Sequence, residues 1–240
     1  MIDRIAGRIP VLESLRAKKR KARRLFVLRD LKAAEELVAA AGHVPVQYVS
    51  RDTLDKLAGG VVHQGVVLEA EALPVLLAEE WIDHDLPSDA IVVVLDGVQD
   101  PHNFGAIVRS AAACGATAVL FAKDRSAPLS AAAMKSAAGA MEHIDMVVAT
   151  NLVRTIEAMK EKKFWIVSFD PEATQDLWDA DLKGRIGLVI GSEGKGVRRL
   201  VGEHCDFRLR IPMPGAVTAL NASVSAAVAL VECLRQRRQS

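Results

Sequence analysis

The feature that most limits the fold of this chain is an alternation, after residue 90, of apolar strand-like runs with helical segments rich in small residues. Six runs are apolar over most of their length, and they are IVVVL, TAVLFA, MVVAT, FWIVSF, RIGLVIG and FRLRIP. Strands buried on both faces have this continuous apolar character, whereas strands with one solvated face alternate apolar and polar residues. The alternation therefore predicts an α/β domain with a parallel sheet covered by helices on both faces.

A shorter α/β pattern precedes this domain. LFVLRD, VQYVS and HQGVVLEAE are predicted strands, and IPVLESL, LKAAEELVAAAG and RDTLDKLAG are predicted helices. The segment that follows, EALPVLLAEEWIDHDLPSDA, contains two prolines and a cluster of acids, which is typical of a connection between domains. We therefore expect a small domain at 1–72, a linker at 73–89 and the larger α/β domain at 90–240.

The charge of the chain is unevenly distributed although its net charge is only +1. Residues 1–30 contain ten Lys or Arg against three Asp or Glu, and the run RAKKRKARR is the densest part. Clustered cations displace counterions from a nucleic-acid backbone, so the run is a candidate phosphate-binding surface. The alternative is a solvated helix end or loop. The candidate RNA-binding residues are Lys18, Lys19, Arg20, Lys21, Arg23 and Arg24.

Several other classes of protein are disfavoured. The chain has no CxxC among Cys114, Cys205 and Cys233, and its six histidines form no HExxH motif, so neither a disulfide framework nor a metal site is expected. The first strand of the larger domain is not followed by GxGxxG, and the chain has no P-loop and no GxSxG. The N-terminus lacks an apolar signal region, and the most apolar long stretch reads as a buried helix. We therefore expect a cytoplasmic protein with no membrane association.

Three loops at predicted strand ends carry polar residues that packing alone does not require. The first, LDGVQDPHNFGAIVRSAAACGA, has Asn103 where it can cap a helix that begins near Phe104, and Arg109 on a helix of small apolar residues. The second, LVIGSEGKGV, places three glycines around Glu193. The third, LRIPMPGAVTALNASVSAAVAL, has Asn221 and Ser223 at the start of a long helix. Taken singly, these residues are also compatible with helix caps, a tight turn and a surface cation.

Together the three loops resemble a known family. DPHNFGAIVRSAAACGA, IGSEGKG and IPMPGAVTALNASVS are similar, in sequence and in order, to the three motifs of the SpoU/TrmH family of RNA ribose 2′-O-methyltransferases. The leading segment, with IAGRIPVLESL and the closing HQGVVLE, resembles the small L30e-like substrate-binding domain of one branch of that family. That branch methylates a guanosine of large-subunit (23S) rRNA. The resemblance covers nearly the whole chain.

The resemblance implies most of the functional expectations. It implies an L30e-like α/β domain followed by an α/β-knot (SPOUT) methyltransferase domain with a C-terminal trefoil knot, a homodimer, and S-adenosylmethionine as the methyl donor. The cofactor contacts it implies are Gly191, Ile211 and Leu220. The catalytic positions it implies are Asn103, Arg109, Glu193, Asn221 and Ser223. Because a guanidinium is a very poor base, we expect Arg109 to hold the phosphate of the target nucleotide and to stabilise developing oxyanion charge.

One residue departs from the pattern of the family, and two other functions stay open. The third motif commonly reads Ser-Leu-Asn, whereas this chain has Ala219 before Leu220 and Asn221. Thr218 and Ser223 are the nearby residues that carry a hydroxyl. One alternative function is tRNA ribose 2′-O-methylation, which the L30e-like segment disfavours. The other is a non-catalytic RNA-binding homologue, which Ala219 favours and the retained polar residues disfavour.

Overall fold

The computed structural model describes residues 2–32, 34–124, 129–216 and 219–238. The chain divides into two compact units. The smaller unit is Met1–Pro74 together with Ala137–His143, and the larger unit is Val75–Ser136 together with Ile144–Ser240. None of the helices among the described residues is both long enough and apolar enough to span a bilayer.

The smaller unit is a four-stranded mixed sheet with helices. Its strands are β1 (Ile2–Ala6), β2 (Ala22–Leu28), β3 (Val46–Val49) and β4 (Val66–Glu71), and its α-helices are α1 (Arg8–Ala17), α2 (Glu35–Ala41) and α3 (Arg51–Ala58). The strand order is β1-β4-β2-β3, with β4 antiparallel to both of its neighbours and β2 parallel to β3. Strand β1 was not expected, because IDRIA is a short edge strand with two charged residues and no continuous apolar run.

The larger unit contains a parallel sheet. Its strands are β5 (Leu76–Leu77), β6 (Ile91–Asp96), β7 (Ala118–Ala122), β8 (Asp145–Ala149), β9 (Trp165–Phe169), β10 (Gln175–Asp176), β11 (Ile186–Gly191) and β12 (Phe207–Arg210). Their order is β10-β12-β9-β11-β6-β7-β8-β5, and the described pairings are parallel. Every residue of β6 is buried. The predicted parallel α/β sheet is therefore confirmed; the trefoil knot stays a prediction.

Helices connect these strands as expected from the sequence. The α-helices are α4 (Ala78–Trp81), α5 (Pro101–Ala113), α6 (Ala131–Ala137), α7 (Leu152–Glu161), α8 (Arg199–Gly202) and α9 (Ala222–Arg237). Short 3₁₀ helices occur at Ala140–Glu142 and Leu177–Asp179. Helices α5 and α9, which follow the first and third motif loops, pack against each other. That packing brings two of the three motif loops to one side of the sheet.

Two segments differ from the domain boundaries expected from the sequence. Residues 73–89 contain β5, which pairs with β8, and α4, whose Trp81 is 1% exposed in the core of the larger unit. Apolar residues hidden among the acids of this segment give it a packed face, so it is part of a domain rather than a free connection. Residues Ala137–His143 belong by their contacts to the smaller unit although they lie far along the chain.

Candidate active site

Asn103 reaches the candidate site from the first turn of α5. The helix begins at Pro101, and its N-cap is Asp100, whose side chain accepts a hydrogen bond from the His102 N–H at 3.1 Å. The expectation that Asn103 caps a helix starting near Phe104 is therefore wrong, because the Asp-Pro pair starts the helix three residues earlier. Asn103 lies inside the helix, it is buried, and its amide is free of the capping role.

Glu193 is presented by a tight loop after β11. The backbone of Ser192 and Gly196 exchanges two hydrogen bonds, which close the loop beneath Glu193. Gly191 has to be glycine, because a Cβ there would lie 2.1 Å from the carbonyl carbon of Gly196 and 2.3 Å from the Val197 nitrogen. Gly194 supplies a positive φ of 74° at the tip. The three glycines of this motif thus shape a loop that folds back on the end of its own strand.

Four of the five predicted catalytic residues, which come from all three motifs, meet in one hydrogen-bonded cluster. The Nδ2 amide of Asn221 donates to Glu193 Oε1 at 2.7 Å and to Asn103 Oδ1 at 3.1 Å, and the Nδ2 amide of Asn103 donates to the same Glu193 oxygen. The Oδ1 oxygen of Asn221 accepts from the Ser223 N–H at 2.9 Å and from Ser223 Oγ at 2.6 Å. Asn221 is therefore both the N-cap of α9, as predicted, and the centre of the cluster.

This arrangement leaves one carboxylate oxygen available. Both amide protons of Asn221 and both acceptor positions of its oxygen are occupied, so this residue organises the cluster rather than binding a ligand. Glu193 Oε1 accepts from two amides, whereas its Oε2 has no hydrogen-bond partner among the described residues. Two residues near Ala219 carry a hydroxyl. Ser223 donates its hydroxyl hydrogen bond to Asn221 Oδ1, and Thr218 lies outside the described residues.

Two cavities border this cluster. The larger has a volume of about 380 Å³ and lies at the carboxyl ends of β9, β11 and β12, where open parallel sheets bind ligands. Gly191, Ile211 and Leu220, the three expected cofactor contacts, all line it. The smaller cavity, of about 180 Å³, is lined by residues of the first and second motif loops, including Asn103. Ser192, Glu193 and Ala222 line both cavities, so Glu193 lies where the two cavities adjoin.

Arg109 is the one expected catalytic residue that the structure does not bring into the cluster. It lies on the exposed side of α5 and makes no hydrogen bond or ion pair within the described part of the chain. Six residues separate it from Asn103, which at 3.6 residues per turn places the two side chains about 120° apart around the helix. Its guanidinium is therefore free to bind an anion from outside this chain.

Sequence reasoning missed an ion pair beside the cluster. Asp96, the last residue of β6, is completely buried, and its carboxylate accepts hydrogen bonds from the Arg198 backbone N–H at 2.8 Å and from Arg198 Nε at 2.6 Å. Arg198 lines the larger cavity. A carboxylate at the end of an otherwise apolar buried strand was the available signal, since such a group requires a partner.

Within the smaller unit, the six residues of the basic run have different environments. Lys18, Lys21 and Arg24 are exposed and form no ion pair with the described residues. Arg23 is paired with Glu71.

Arg20 and Lys19 are less exposed than the residues of a basic surface run were expected to be. Arg20 is buried and donates to Asp3 at 2.7 Å and, through Nε, to Glu142 at 2.9 Å. A guanidinium neutralised by two carboxylates inside the fold is not available to a phosphate, so Arg20 has a structural role. The Lys19 ammonium lies 3.5 Å from the Met141 carbonyl oxygen and is partly buried.

The cysteines offer no reactive thiol. Burial raises the pKa of all three, to about 11 for Cys205 and to about 12 for Cys233, whereas reactive cysteines have a lowered pKa. Among the described residues, no group of three or more His, Cys, Asp or Glu side chains is arranged to hold a metal ion.

The fold and the site together define the class of protein. It is an α/β protein with a parallel sheet, and three motif loops at the carboxyl edge of that sheet form a polar cluster that borders a cavity. The family model described as "SpoU rRNA Methylase family" matches residues 90–231, and the model described as "RNA 2'-O ribose methyltransferase substrate binding" matches residues 4–76. The chain therefore belongs to the SpoU rRNA methylase family, and the resemblance found in its motifs is confirmed.

Curated relatives are similar over most of their length. The chain is 45% identical over 204 residues to the 23S rRNA (guanosine-2'-O-)-methyltransferase RlmB of Pseudomonas putida, which covers 84% of this chain and 82% of the relative. It is 46% identical over 203 residues to the protein of the same name from Pseudomonas aeruginosa, covering 83% and 81%. A solved RNA 2'-O ribose methyltransferase superposes with a TM-score of 0.81 at 28% identity, covering 99% of this chain and 89% of that one.

Proposed function

We propose that this protein transfers a methyl group from S-adenosylmethionine to the ribose 2′-hydroxyl of a guanosine in 23S rRNA. The observation that carries the proposal is the cluster of Asn103, Glu193 and Asn221, joined by hydrogen bonds at the rim of two cavities. Membership of the family and the names of the relatives supply the substrate class. The retained cluster also favours an enzyme over a non-catalytic RNA-binding homologue.

The larger cavity suits the cofactor. Its volume of about 380 Å³ is in the range of small-molecule sites, which are roughly 300–1,000 Å³. Gly191 keeps the wall of this cavity in place through the close approach of Gly196, and Ile211 and Leu220 provide apolar surface for an adenosyl group. When bound, S-adenosylmethionine supplies an electrophilic methyl group with a good leaving group.

The residues of the cluster then prepare the hydroxyl of the ribose. A ribose hydroxyl is a weak acid, so its proton has to be transferred to a base as the oxygen attacks the methyl group. Glu193 lines both cavities, and its Oε2 has no hydrogen-bond partner among the described residues. The amides of Asn103 and Asn221 fix the other oxygen of the same carboxylate. We assign to Glu193 the orientation of the hydroxyl and the acceptance of its proton, and to Asn103, Asn221 and Ser223 the orientation of Glu193. A fixed acceptor of this kind lowers the cost of reaching an in-line geometry.

We assign to Arg109 the binding of the phosphate of the target nucleotide. Its exposed guanidinium can hold a phosphate bidentately and stabilise developing negative charge without acting as a base. Because it lies outside the cluster of its own chain, the proposal includes a homodimer, as expected for the family. The exposed Val224 and Val231 and the half-buried Val228 form an apolar face of α9, the helix that packs against α5, and this face suits a two-fold interface.

RNA phosphates beyond the target are assigned to the exposed cations of the basic run. Lys18, Lys21 and Arg24 are the strongest candidates because they lack carboxylate partners among the described residues, and Lys19 and Arg23 are weaker ones.

Replacing Lys18, Lys21 and Arg24 together by Gln should weaken RNA binding and reduce the slope of log K against log salt by roughly 0.7–0.9 per lost contact. Cofactor affinity should stay unchanged. Filter binding at several salt concentrations checks this, and an unaltered slope would make the run solvated surface.

The test of the proposed reaction uses purified full-length protein and S-adenosylmethionine with a labelled methyl group. We expect label in 23S rRNA, in a guanosine resistant to alkaline cleavage on its 3′ side, and none in tRNA. The reaction belongs in the cytoplasm, where that RNA is made. Label in tRNA alone would support the alternative substrate, and label in neither RNA would support the non-catalytic homologue.

A further inference from the structure

The strongest feature that the proposed mechanism does not use is the arginine held by a buried carboxylate at the end of β6. Asp96 is wholly buried, whereas the side chain of Arg198 is 45% exposed and lines the 380 Å³ cavity. Both oxygens of Asp96 are used by Arg198, one by its backbone N–H and one by its Nε. The carboxylate therefore fixes the start of the side chain and one edge of its guanidinium.

The other edge of the guanidinium is free. The two terminal Nη groups of Arg198 make no hydrogen bond or ion pair within the described ranges of the chain. A guanidinium has five N–H donors in a planar fork, so fixing Nε leaves a preorganised pair of Nη donors. Such a pair matches the two oxygens of a carboxylate or a phosphate. Because Asp96 already holds the side chain, little rotamer entropy remains to be lost when an anion binds.

The neighbouring arginine is different. Arg199 also lines the cavity, but its side chain is 85% exposed and pairs with Glu203 one helical turn away at 2.7 Å. An exposed pair of this kind is weak and screened by salt. Arg198 is thus anchored by a wholly buried carboxylate, whereas Arg199 is paired only at the surface.

We infer that Arg198, positioned by Asp96, is an oxyanion-binding residue of this cavity. The inference rests on the proposed function for the identity of the anion. Two sources have the required chemistry, and they are the carboxylate of the methionyl group of S-adenosylmethionine and a phosphate of the RNA. Asp96 is a positioning residue, since it is buried beneath Arg198 and its two oxygens are both occupied.

The experiment compares Arg198→Met with the wild-type protein, using Arg154→Ala as a matched control. Arg154 is an exposed arginine on α7 that does not line the cavity. Arg198→Met keeps the backbone N–H that Asp96 accepts. The double variant Asp96→Asn/Arg198→Met removes in addition the buried charge that would otherwise lose a partner. The probes are S-adenosylmethionine and decarboxylated S-adenosylmethionine by calorimetry, and a 23S rRNA fragment by filter binding at several salt concentrations.

If the anion is the carboxylate of the cofactor, Arg198→Met lowers the affinity for S-adenosylmethionine about tenfold or more. The affinity for decarboxylated S-adenosylmethionine then stays within about twofold of the wild-type value. If it is a phosphate, the affinity for RNA and its salt slope fall while both cofactor affinities stay constant. The inference is overturned if none of the three affinities changes, or if both cofactor forms weaken equally in the single and the double variant. Failure of the wild-type protein to bind S-adenosylmethionine would refute the proposed function instead, and the RNA titration would still decide whether Arg198 binds an oxyanion.

Discussion

Asn221 has two separable roles, because one side chain both caps α9 and holds Glu193. Its Oδ1 oxygen accepts the capping hydrogen bond from the Ser223 N–H at 2.9 Å, and its Nδ2 amide donates to Glu193 at 2.7 Å. Serine is as good an N-cap as asparagine, but it is too short and has no amide to hold the carboxylate. Asn221→Ser therefore removes the contact that positions Glu193 and keeps the helix cap, whereas Asn221→Ala removes both.

The magnitudes follow from these contacts. Loss of an N-cap costs about 1 kcal/mol, which corresponds to a fall in Tm of about 2–4 °C for a domain of this size. We expect that fall for Asn221→Ala and a smaller change for Asn221→Ser. Displacement of a catalytic group by about 1 Å costs on the order of 100-fold in rate, so both variants should lose about that much of kcat.

The assay is multiple-turnover methylation of 23S rRNA at saturating S-adenosylmethionine, with thermal unfolding measured on the same samples. The reasoning predicts that kcat falls equally in the two variants while Tm falls chiefly in Asn221→Ala. It is refuted if Asn221→Ser keeps near-normal kcat, since Asn221 would then be only a helix cap. Asn221→Asp extends the test, because it keeps the cap and places a second carboxylate against Glu193.

Three further predictions address other parts of the site. Gly191→Ala should weaken cofactor binding, measured by calorimetry, more than about tenfold, because the loop has to move by about 1 Å or more to clear the new Cβ. Gly215→Ala, where a Cβ meets no atom of the described residues within 4 Å, should bind the cofactor normally. Arg109→Ala should lower kcat about 100-fold with unchanged cofactor affinity. Arg109→Lys should not restore kcat, because an ammonium lacks the planar fork of a guanidinium. Near-normal turnover of Arg109→Ala would show that Arg109 is only a surface cation. With the pKa of Cys205 raised by burial to about 11, roughly one in a thousand of its thiols is ionised at pH 8. Iodoacetamide should therefore label Cys205 far more slowly in the native than in the unfolded protein. Equal labelling rates would contradict the burial of this thiol.

The sequence predicted the parallel sheet well because buried strands have a distinctive signal. Strand β6 is apolar up to Asp96 and buried along its whole length, and β7 and β11 are buried except at their last residues, whereas in β12 only Leu209 is buried. Strand β1 gave no such signal, since it is an edge strand that needs an apolar residue only where Ile5 enters the core. The expected cap of α5 at Asn103 was wrong, because Pro101 starts the helix directly after Asp100.

Contacts between residues far apart in sequence were not predictable from local patterns. Arg20 lies within a run of cations, and only its pairing with Glu142, 122 residues later, makes it part of the fold. Asp96 and Arg198 are separated by 102 residues, and neither belongs to the polar positions of the three motifs. The cluster of Asn103, Glu193 and Asn221 could be expected because the carboxyl ends of parallel strands share one edge of a sheet.

The central claim is tested most directly by mapping 2′-O-methylated nucleotides in 23S rRNA from a strain that lacks this protein. The proposed function predicts the loss of the 2′-O-methyl group at one guanosine. It also predicts that the wild-type protein restores that modification and that Asn221→Ser, produced at the same level, does not. An unchanged pattern of methylation in the deletion strain, or full restoration by Asn221→Ser, would contradict the account.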